Sequence, residues 1–413
     1  MRFAMPVTVY EEEECVRNHP EVFAAAGKKA LLVTGRHSAD RNGAAADVLS
    51  VLEDCGIASV RFREVEENPC VETVMRARKL GLSEGADFVV GIGGGSAMDA
   101  AKAIALMMRH PEEGADYLYG SRDASRVPLI LVPTTCGTGS EVTPVSVLTL
   151  PERRTKASTP HPLFADAALI DGRYLAFAPE KVIRNTAIDA LGHLFESYLN
   201  ADATDYSRMC VDAGLKIWSR SRDVLLRSAA ISEDVTVLPA HGTESDSQHM
   251  ESPECGDAGQ DTGAVGADEA GSTPDPDASR IYTAEDYANL MRASALAGMA
   301  IAQTGTALPH GLSYPITFDL HMAHGRAVGY FEAGYLAAAP EEESLYLLHT
   351  AGFENLAALQ DFYEAMCGSA RIPAAELEHA VDMLCENPAK LAKAPFRCDR
   401  EVLRRIAFWP GED

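Results

Sequence analysis

Two acid- and imidazole-bearing segments carry the chemistry that this sequence can do. Asp189-Ala-Leu-Gly-His193 lies in a stretch of helical character, and a spacing of four puts Asp189 and His193 on one face, one turn apart. His310 and His324 follow in a second segment, His310 to Gly325. One carboxylate and three imidazoles suit a divalent first-row metal such as iron or zinc. A catalytic ion also needs a coordination position left open for substrate. Spacing alone leaves each histidine equally readable as a surface or core ring.

Two glycine-containing turns stand upstream. Gly91-Ile-Gly-Gly-Gly-Ser-Ala-Met-Asp-Ala-Ala-Lys102 follows an apolar run and precedes a helical one. Gly93 to Gly95 let the backbone approach a ligand closely. Ser96 with Asp99 fits a capping box at the helix start. The N–H groups and positive dipole end there favour a pyrophosphate, although a ligand-free turn reads the same way. The pattern is neither G-x-G-x-x-G nor a phosphate-binding G-K-[ST] loop. Pro133-Thr-Thr-Cys-Gly-Thr-Gly-Ser-Glu-Val-Thr143 is the second turn. Its hydroxyls and amides fit a nucleotide as well as they fit a polar surface loop.

The elements that must position these groups change along the chain. Ala30–Thr34, Ser59–Val65, Phe88–Ile92, Leu129–Val132 and Ala168–Ile170 read as strands, with helices at Val71–Leu80 and Ala97–Met108 between them. This rhythm predicts a parallel sheet covered by helices, with ligands outside the carboxyl ends of its strands. Ile183–Leu199, Tyr206–Leu225, Ala284–Gln303 and Glu341–Leu359 read as helices only. An α/β dinucleotide-binding domain over 1–180 and an all-helical metal-binding domain over 181–413 are therefore expected, with the site in the cleft between them. Residues 232–279, rich in Gly, Ser, Asp, Glu, Thr and Pro, read as a disordered acidic insertion in the second domain.

Composition narrows the function classes. The 413 residues are 46% apolar and 23% charged, with a net charge of −25. Phosphate contacts need Lys and Arg, so nucleic acid is not an expected partner. The acidity is uneven, since residues 230–280 hold twelve acids and one base. No apolar run reaches the ~20 residues of a membrane span. The acids Glu11–Glu14 follow a beginning that is no secretory signal. Nine dispersed cysteines without a C-x-x-C pair read as free thiols in a reducing compartment, so a cytoplasmic location is expected.

Together these motifs resemble the iron-containing alcohol dehydrogenases, which have the dehydroquinate synthase-like fold. The resemblance rests on Gly93–Lys102, Pro133–Thr143, Ala187–His193 and the His310/His324 segment, in the family's order. It implies an NAD(P)-linked alcohol dehydrogenase or aldehyde reductase that acts on a small alcohol or aldehyde and assembles as a homodimer. It assigns Asp189, His193, His310 and His324 as ligands of Fe²⁺, with Zn²⁺ as the alternative. It places Gly94, Gly95, Ser96 and Asp99 at the pyrophosphate, and Thr134, Thr135, Thr138 and Ser140 further along the nucleotide. Asn68 and Lys156 also fall on its cofactor side.

Three positions depart from the family pattern. Tyr314 stands where many members carry a second histidine, so Tyr314 or His321 becomes the candidate proton carrier. Cys136 replaces the usual Ala. Gly35 stands where NAD-preferring members often place Asp, which removes repulsion against a 2′-phosphate. With Arg36, His37 and Ser38 beside it, NADP is expected in preference to NAD. Thr143, Val145 and Ser146 are expected at the substrate pocket. The rival readings are a zinc glycerol dehydrogenase-like polyol or hydroxy-acid dehydrogenase, a lyase of the same fold, and an inactive interaction scaffold.

Overall fold

A computed structural model of the protein describes residues 3–120, 123–150, 155–234 and 281–410. The acidic stretch from 235 to 279 lies outside the described residues.

Six parallel strands form the sheet: β1 (Thr8–Glu11), β2 (Lys29–Gly35), β3 (Ala58–Val65), β4 (Phe88–Gly93), β5 (Leu129–Pro133) and β8 (Ala167–Ile170). Their order is β1-β8-β5-β4-β2-β3. The central strands β4, β5 and β8 are buried along their whole length, as a sheet covered on both faces requires. Alternation then divides each strand between two cores. In β2, Leu31 and Val33 join the core under the helix Gly95–Arg109, and Ala30 and Leu32 join the one under the helix Ala44–Asp54. From β2 the chain steps outward to β3 and then back across to β4. That reversal opens a crevice at the carboxyl ends of β2 and β4, where Gly35 and Gly93–Gly95 lie.

A short antiparallel hairpin, β6 (Val147–Leu150) and β7 (Thr155–Ser158), lies apart from the main sheet. Neither it nor edge strand β1 was expected from the sequence. The hairpin is tied to the crevice, because Thr149 N donates to Pro69 O at 2.8 Å and Thr149 Oγ1 to Asn68 O at 2.8 Å.

Beyond Glu180 the described chain is helical. The helix Glu180–Tyr198 runs through its core, with Ile188, Leu191, Leu194 and Phe195 buried. Trp218 is fully buried beside it and donates from Nε1 to Ala187 O at 2.8 Å. Two expected helices are each broken. Tyr206–Leu225 is a helix Asp205–Trp218, a 3₁₀ turn and a helix Arg222–Asp234. Glu341–Leu359 ends at Ala351, where Gly352 takes a left-handed conformation, and a new helix starts at Leu356. No helix among the described residues is long and apolar enough to cross a membrane.

Candidate active site

The glycine turn begins at the end of β4. The helix Gly95–Arg109 has Gly94 as its N-cap, in an extended conformation with no side-chain cap. The expected capping box is therefore absent, because both of its side chains have other partners. Ser96 Oγ accepts from Asn68 N at 3.1 Å, which draws the Asn68 loop to the helix start. Asp99 points inward, accepting from Ser140 Oγ at 2.6 Å and Val147 N at 3.0 Å.

The Thr-Gly turn leaves β5 next door, and Thr134 N donates to Gly93 O at 3.0 Å. The two turns face each other so closely that a Cβ on Gly95 would lie 2.7 Å from Thr138 Cγ2, and one on Gly94 3.1 Å from Thr135 Oγ1. The N-terminal amides of the helix are thus bordered by Thr135 and Thr138, a cradle that suits a dinucleotide pyrophosphate.

Lys102 fastens the turns together from beneath. It is fully buried and donates from Nζ to Ser140 Oγ (2.8 Å), Thr143 Oγ1 (3.2 Å) and Val145 O (2.7 Å), with Asp99 Oδ1 at 3.6 Å. Burial pushes the Lys102 ammonium down and the Asp99 carboxyl up, and each partly offsets the other's shift. Glu141, buried next to Ser140, is pushed up to about 7 by the same burial. Thr143 and Ser146, expected at the substrate pocket, are buried here: Ser146 Oγ donates to Asp99 O at 2.8 Å. Val145 is 40% exposed. Lys102→Met removes the buried cation that offsets the charges of Asp99 and Glu141 and is expected to cost about 3–5 kcal/mol of folding free energy. The check is a lower urea midpoint at unchanged slope.

The metal-ligand candidates converge on the other side of the Thr-Gly turn. Asp189 and His193 share a face of the helix Glu180–Tyr198, and His310 lies in the first turn of the helix Leu308–Asp319. One potential ligand atom from each of Asp189, His193 and His310 lies within 4.8 Å of the others. His193 and His310 stack at 4.5 Å between ring centroids. His324 opens the helix His324–Ala338 and sets its Nε2 3.7 Å from Asp189 Oδ1. Gly325 makes that approach possible, since a Cβ there would overlap the Asn185 carbonyl oxygen at 1.8 Å. The three sequence-distant segments named for the metal therefore meet, with His324 slightly outside the inner three.

Electrostatics favour a cation at this point. Burial alone would raise the Asp189 carboxyl, yet the three imidazoles hold it well below the usual carboxylate range. Asp189 Oδ1 and His310 Nε2 are buried 3.5 Å apart, and neither has a hydrogen-bond partner. Orphaned buried polar atoms are costly unless something satisfies them. A divalent ion fits that donor set.

Glu196 completes the arrangement and was missed in the sequence. It continues the Asp189–His193 face at a spacing of three, so the signal was a polar stripe along an otherwise apolar helix. It is fully buried and contacts Ala307 N and His310 Nδ1, and His310 N donates to its Oε1 at 3.3 Å. A carboxylate at the N-terminus of the His310 helix is electrostatically favourable. Its bond to Nδ1 fixes the tautomer that turns Nε2 toward Asp189. Glu332 lies nearby, and its pKa is raised well above the ordinary value by burial and by repulsion from Glu196. Glu196→Gln is expected to lower metal affinity about 10- to 100-fold, measured by competition with a chelating dye.

The metal pocket joins the crevice directly. His193 Nδ1 lies 3.1 Å from Gly137 O of the Thr-Gly turn and donates to it, leaving Nε2 for the ion. Tyr314 sits one helical turn beyond His310, is 41% exposed, and its ring stacks on His324 at 6.3 Å. His321 is exposed in the turn before His324, with a left-handed φ of 50°. Gly35 and the exposed Ser38 stand at the end of β2. Lys156 pairs with Thr149 in the hairpin, and its side chain lies outside those described.

Comparison with known proteins agrees with this geometry. Residues 6–172 match the iron-containing alcohol dehydrogenase family. The chain is 33% identical to long-chain-alcohol dehydrogenase 1 of Geobacillus thermodenitrificans over 313 residues, 75% of this chain and 65% of that protein. It is 34% identical to the NADPH-dependent butanol dehydrogenase of Clostridium saccharobutylicum over 209 residues, 48% of this chain and 52% of that one. Matches to these curated relatives thus span between half and two thirds of their length. The crystal structure of an iron-containing alcohol dehydrogenase from Thermotoga maritima superposes with a TM-score of 0.77 at 29% identity, covering 98% of both chains.

A parallel sheet with its glycine turn set against a carboxylate–imidazole cluster in a helical half defines the class, the dehydroquinate synthase-like fold. Within that class, the chain is similar to the iron-containing alcohol dehydrogenases, through the family match over residues 6–172 and through solved structures of that description that cover nearly its whole length.

Proposed function

We propose that this chain is an alcohol dehydrogenase and aldehyde reductase that moves a hydride between NADP and a small alcohol or aldehyde, with Fe²⁺ as its ion and Zn²⁺ as the alternative. One observation carries the reading: His193 belongs to the Asp189–His310 cluster and is also bonded to Gly137 in the turn that borders the glycine cradle. Metal and dinucleotide would then share one crevice.

In this reading the α/β half, residues 1–180, holds the cofactor and the helices from 181 to 413 hold the ion. Asp189, His193, His310 and His324 bind the metal, and Glu196 orients His310. Gly94, Gly95, Ser96 and Asn68 take the pyrophosphate, with Thr134, Thr135 and Thr138 beyond it and Lys156 alongside. Asp99 and Ser140 act from beneath by fixing the two turns. When bound, the ion supplies Lewis-acid polarisation of the substrate oxygen and the nicotinamide supplies or takes the hydride. The walls hold donor and acceptor carbons near contact and limit water. Tyr314, half-exposed against His324, is the better placed of the two proton carriers; His321 reaches solvent. A homodimer in the cytoplasm is part of the same proposal.

A panel of small aldehydes, run with NADPH and NADH and with added ferrous iron or zinc, tests it. Turnover with one metal and preference for NADPH are expected; no oxidation of either cofactor with any aldehyde rejects the proposal. Gly35→Asp is sterically tolerated, because the nearest atoms to its Cβ are Val65 O at 3.5 Å and Ser38 Oγ at 3.9 Å. It is expected to move the NADP/NAD ratio of kcat/KM toward NAD by at least about 10-fold.

A further inference from the structure

One charged cluster at the same end of the sheet has no part in the site so far. Arg61 and Arg63 are two apart on β3, so they project to the same face. Both reach across the carboxyl end of β2. Arg61 donates from Nε and Nη2 to Thr34 Oγ1 at 3.3 and 3.2 Å, and from Nη1 to Asp40 Oδ1 at 2.5 Å. Arg63 donates from Nη2 to Asp40 Oδ2 at 2.7 Å and to Arg36 O at 3.3 Å. Two guanidinium groups thus hold Thr34 and the Arg36 carbonyl, the neighbours of Gly35 in the chain, with one carboxylate between them. Asp40 follows Gly35 by five residues, in the short helix Ser38–Arg41 that starts where β2 ends.

The charges do not balance within this cluster. Asp40 carries one negative charge against two guanidinium charges, and exposed Arg36 adds a third positive group nearby. A network made only for stability gains little from such partly exposed pairs. A phosphate monoester brings close to two negative charges and three acceptor oxygens, which match two guanidinium forks. The Arg61 side chain is only 16% exposed and its stem is fixed by Thr34, so its fork is held in place beforehand.

We propose that Arg61 and Arg63 seat the 2′-phosphate of the adenosine ribose, and that Asp40 is the counter-ion that keeps the two guanidinium groups aligned and is displaced from them by the phosphate. The inference rests on the reading that a dinucleotide lies across the ends of β2 and β4. The opposite role for Asp40, acceptor of a ribose 2′-hydroxyl, would make the site one for NAD. Charge decides between them, since Asp40 already has a guanidinium on each oxygen.

The test is calorimetric titration of the full chain with adenosine 2′,5′-bisphosphate and with ADP, which lacks the 2′-phosphate. Arg61→Gln and Arg63→Gln should each weaken the bisphosphate about 10-fold, with ADP affinity unchanged within twofold. Asp40→Asn, which frees both forks, should tighten the bisphosphate and leave ADP alone. Equal loss for both ligands, or no loss for either, in an Arg61→Gln/Arg63→Gln protein that melts like the wild type overturns the assignment and leaves the cofactor reading standing. Selectivity for ADP that Asp40→Asn abolishes overturns it in favour of the ribose role. A wild-type protein that binds neither ligand overturns the dinucleotide reading itself.

Discussion

His310→Ala is expected to lose bound divalent metal and to lower kcat/KM on the order of 10³-fold or more. The ring is the point at which three structural demands meet. Its Nε2 faces Asp189 Oδ1, its face stacks on His193, and its Nδ1 is held by Glu196. Removing it deletes one ligand and also leaves Glu196 as a buried carboxylate without its main partner. Stability should therefore fall as well, which makes Asp189→Asn the necessary companion. That variant keeps the shape and removes only the charge that the three imidazoles surround. Both variants should show the same metal loss by elemental analysis, and Asp189→Asn should do so in a protein that still unfolds cooperatively. Full metal content in either would remove the cluster from the account.

Gly95→Val is the second large effect, and it acts on the opposite wall. Its Cβ would meet Thr138 Cγ2 at 2.7 Å and Oγ1 at 3.0 Å, so the two turns must part. Overpacking of this kind costs about 1–3 kcal/mol, and dinucleotide affinity should fall roughly 10- to 100-fold as the cradle opens. The metal cluster touches the Thr-Gly turn through Gly137, not Thr138, so metal content should stay at the wild-type level. The pair of variants thus separates the halves of the crevice: one loses the ion, and the other loses the nucleotide. Unchanged quenching of NADPH fluorescence by Gly95→Val would count against the glycine turn as the pyrophosphate seat.

The parts of this architecture that could be read in advance are those that rest on short-range periodicity. β2, β4 and β5 declare themselves because strands buried on both faces must be apolar throughout. Asp189 and His193 declare themselves because four residues make about one turn. What stayed hidden depends on partners distant in sequence. Ser96 and Asp99 have the spacing of a cap, but Asn68 N takes the first, and Ser140 with Val147 takes the second. Glu196 reads as an ordinary helical glutamate until the His310 helix is laid against it. β1 has four residues and is only partly buried, so its pattern is too short to stand out until β8 pairs with it. Gly352, in a left-handed conformation, divides a run of helical periodicity that apolar spacing alone had joined. Arg61 and Arg63 look like the solvent face of an alternating strand, and only the fold shows them meeting over Asp40.

The claim that everything else depends on is that the ion and the nicotinamide occupy one crevice. Protein loaded with Mn²⁺ in place of iron, then titrated with NADP⁺, offers a direct measure through the relaxation of the nicotinamide C4 proton. Strong, saturable broadening of that proton in the wild type, absent in Asp189→Asn, is the predicted result. A bound Mn²⁺ that leaves the C4 proton sharp while NADP⁺ is bound would contradict the account.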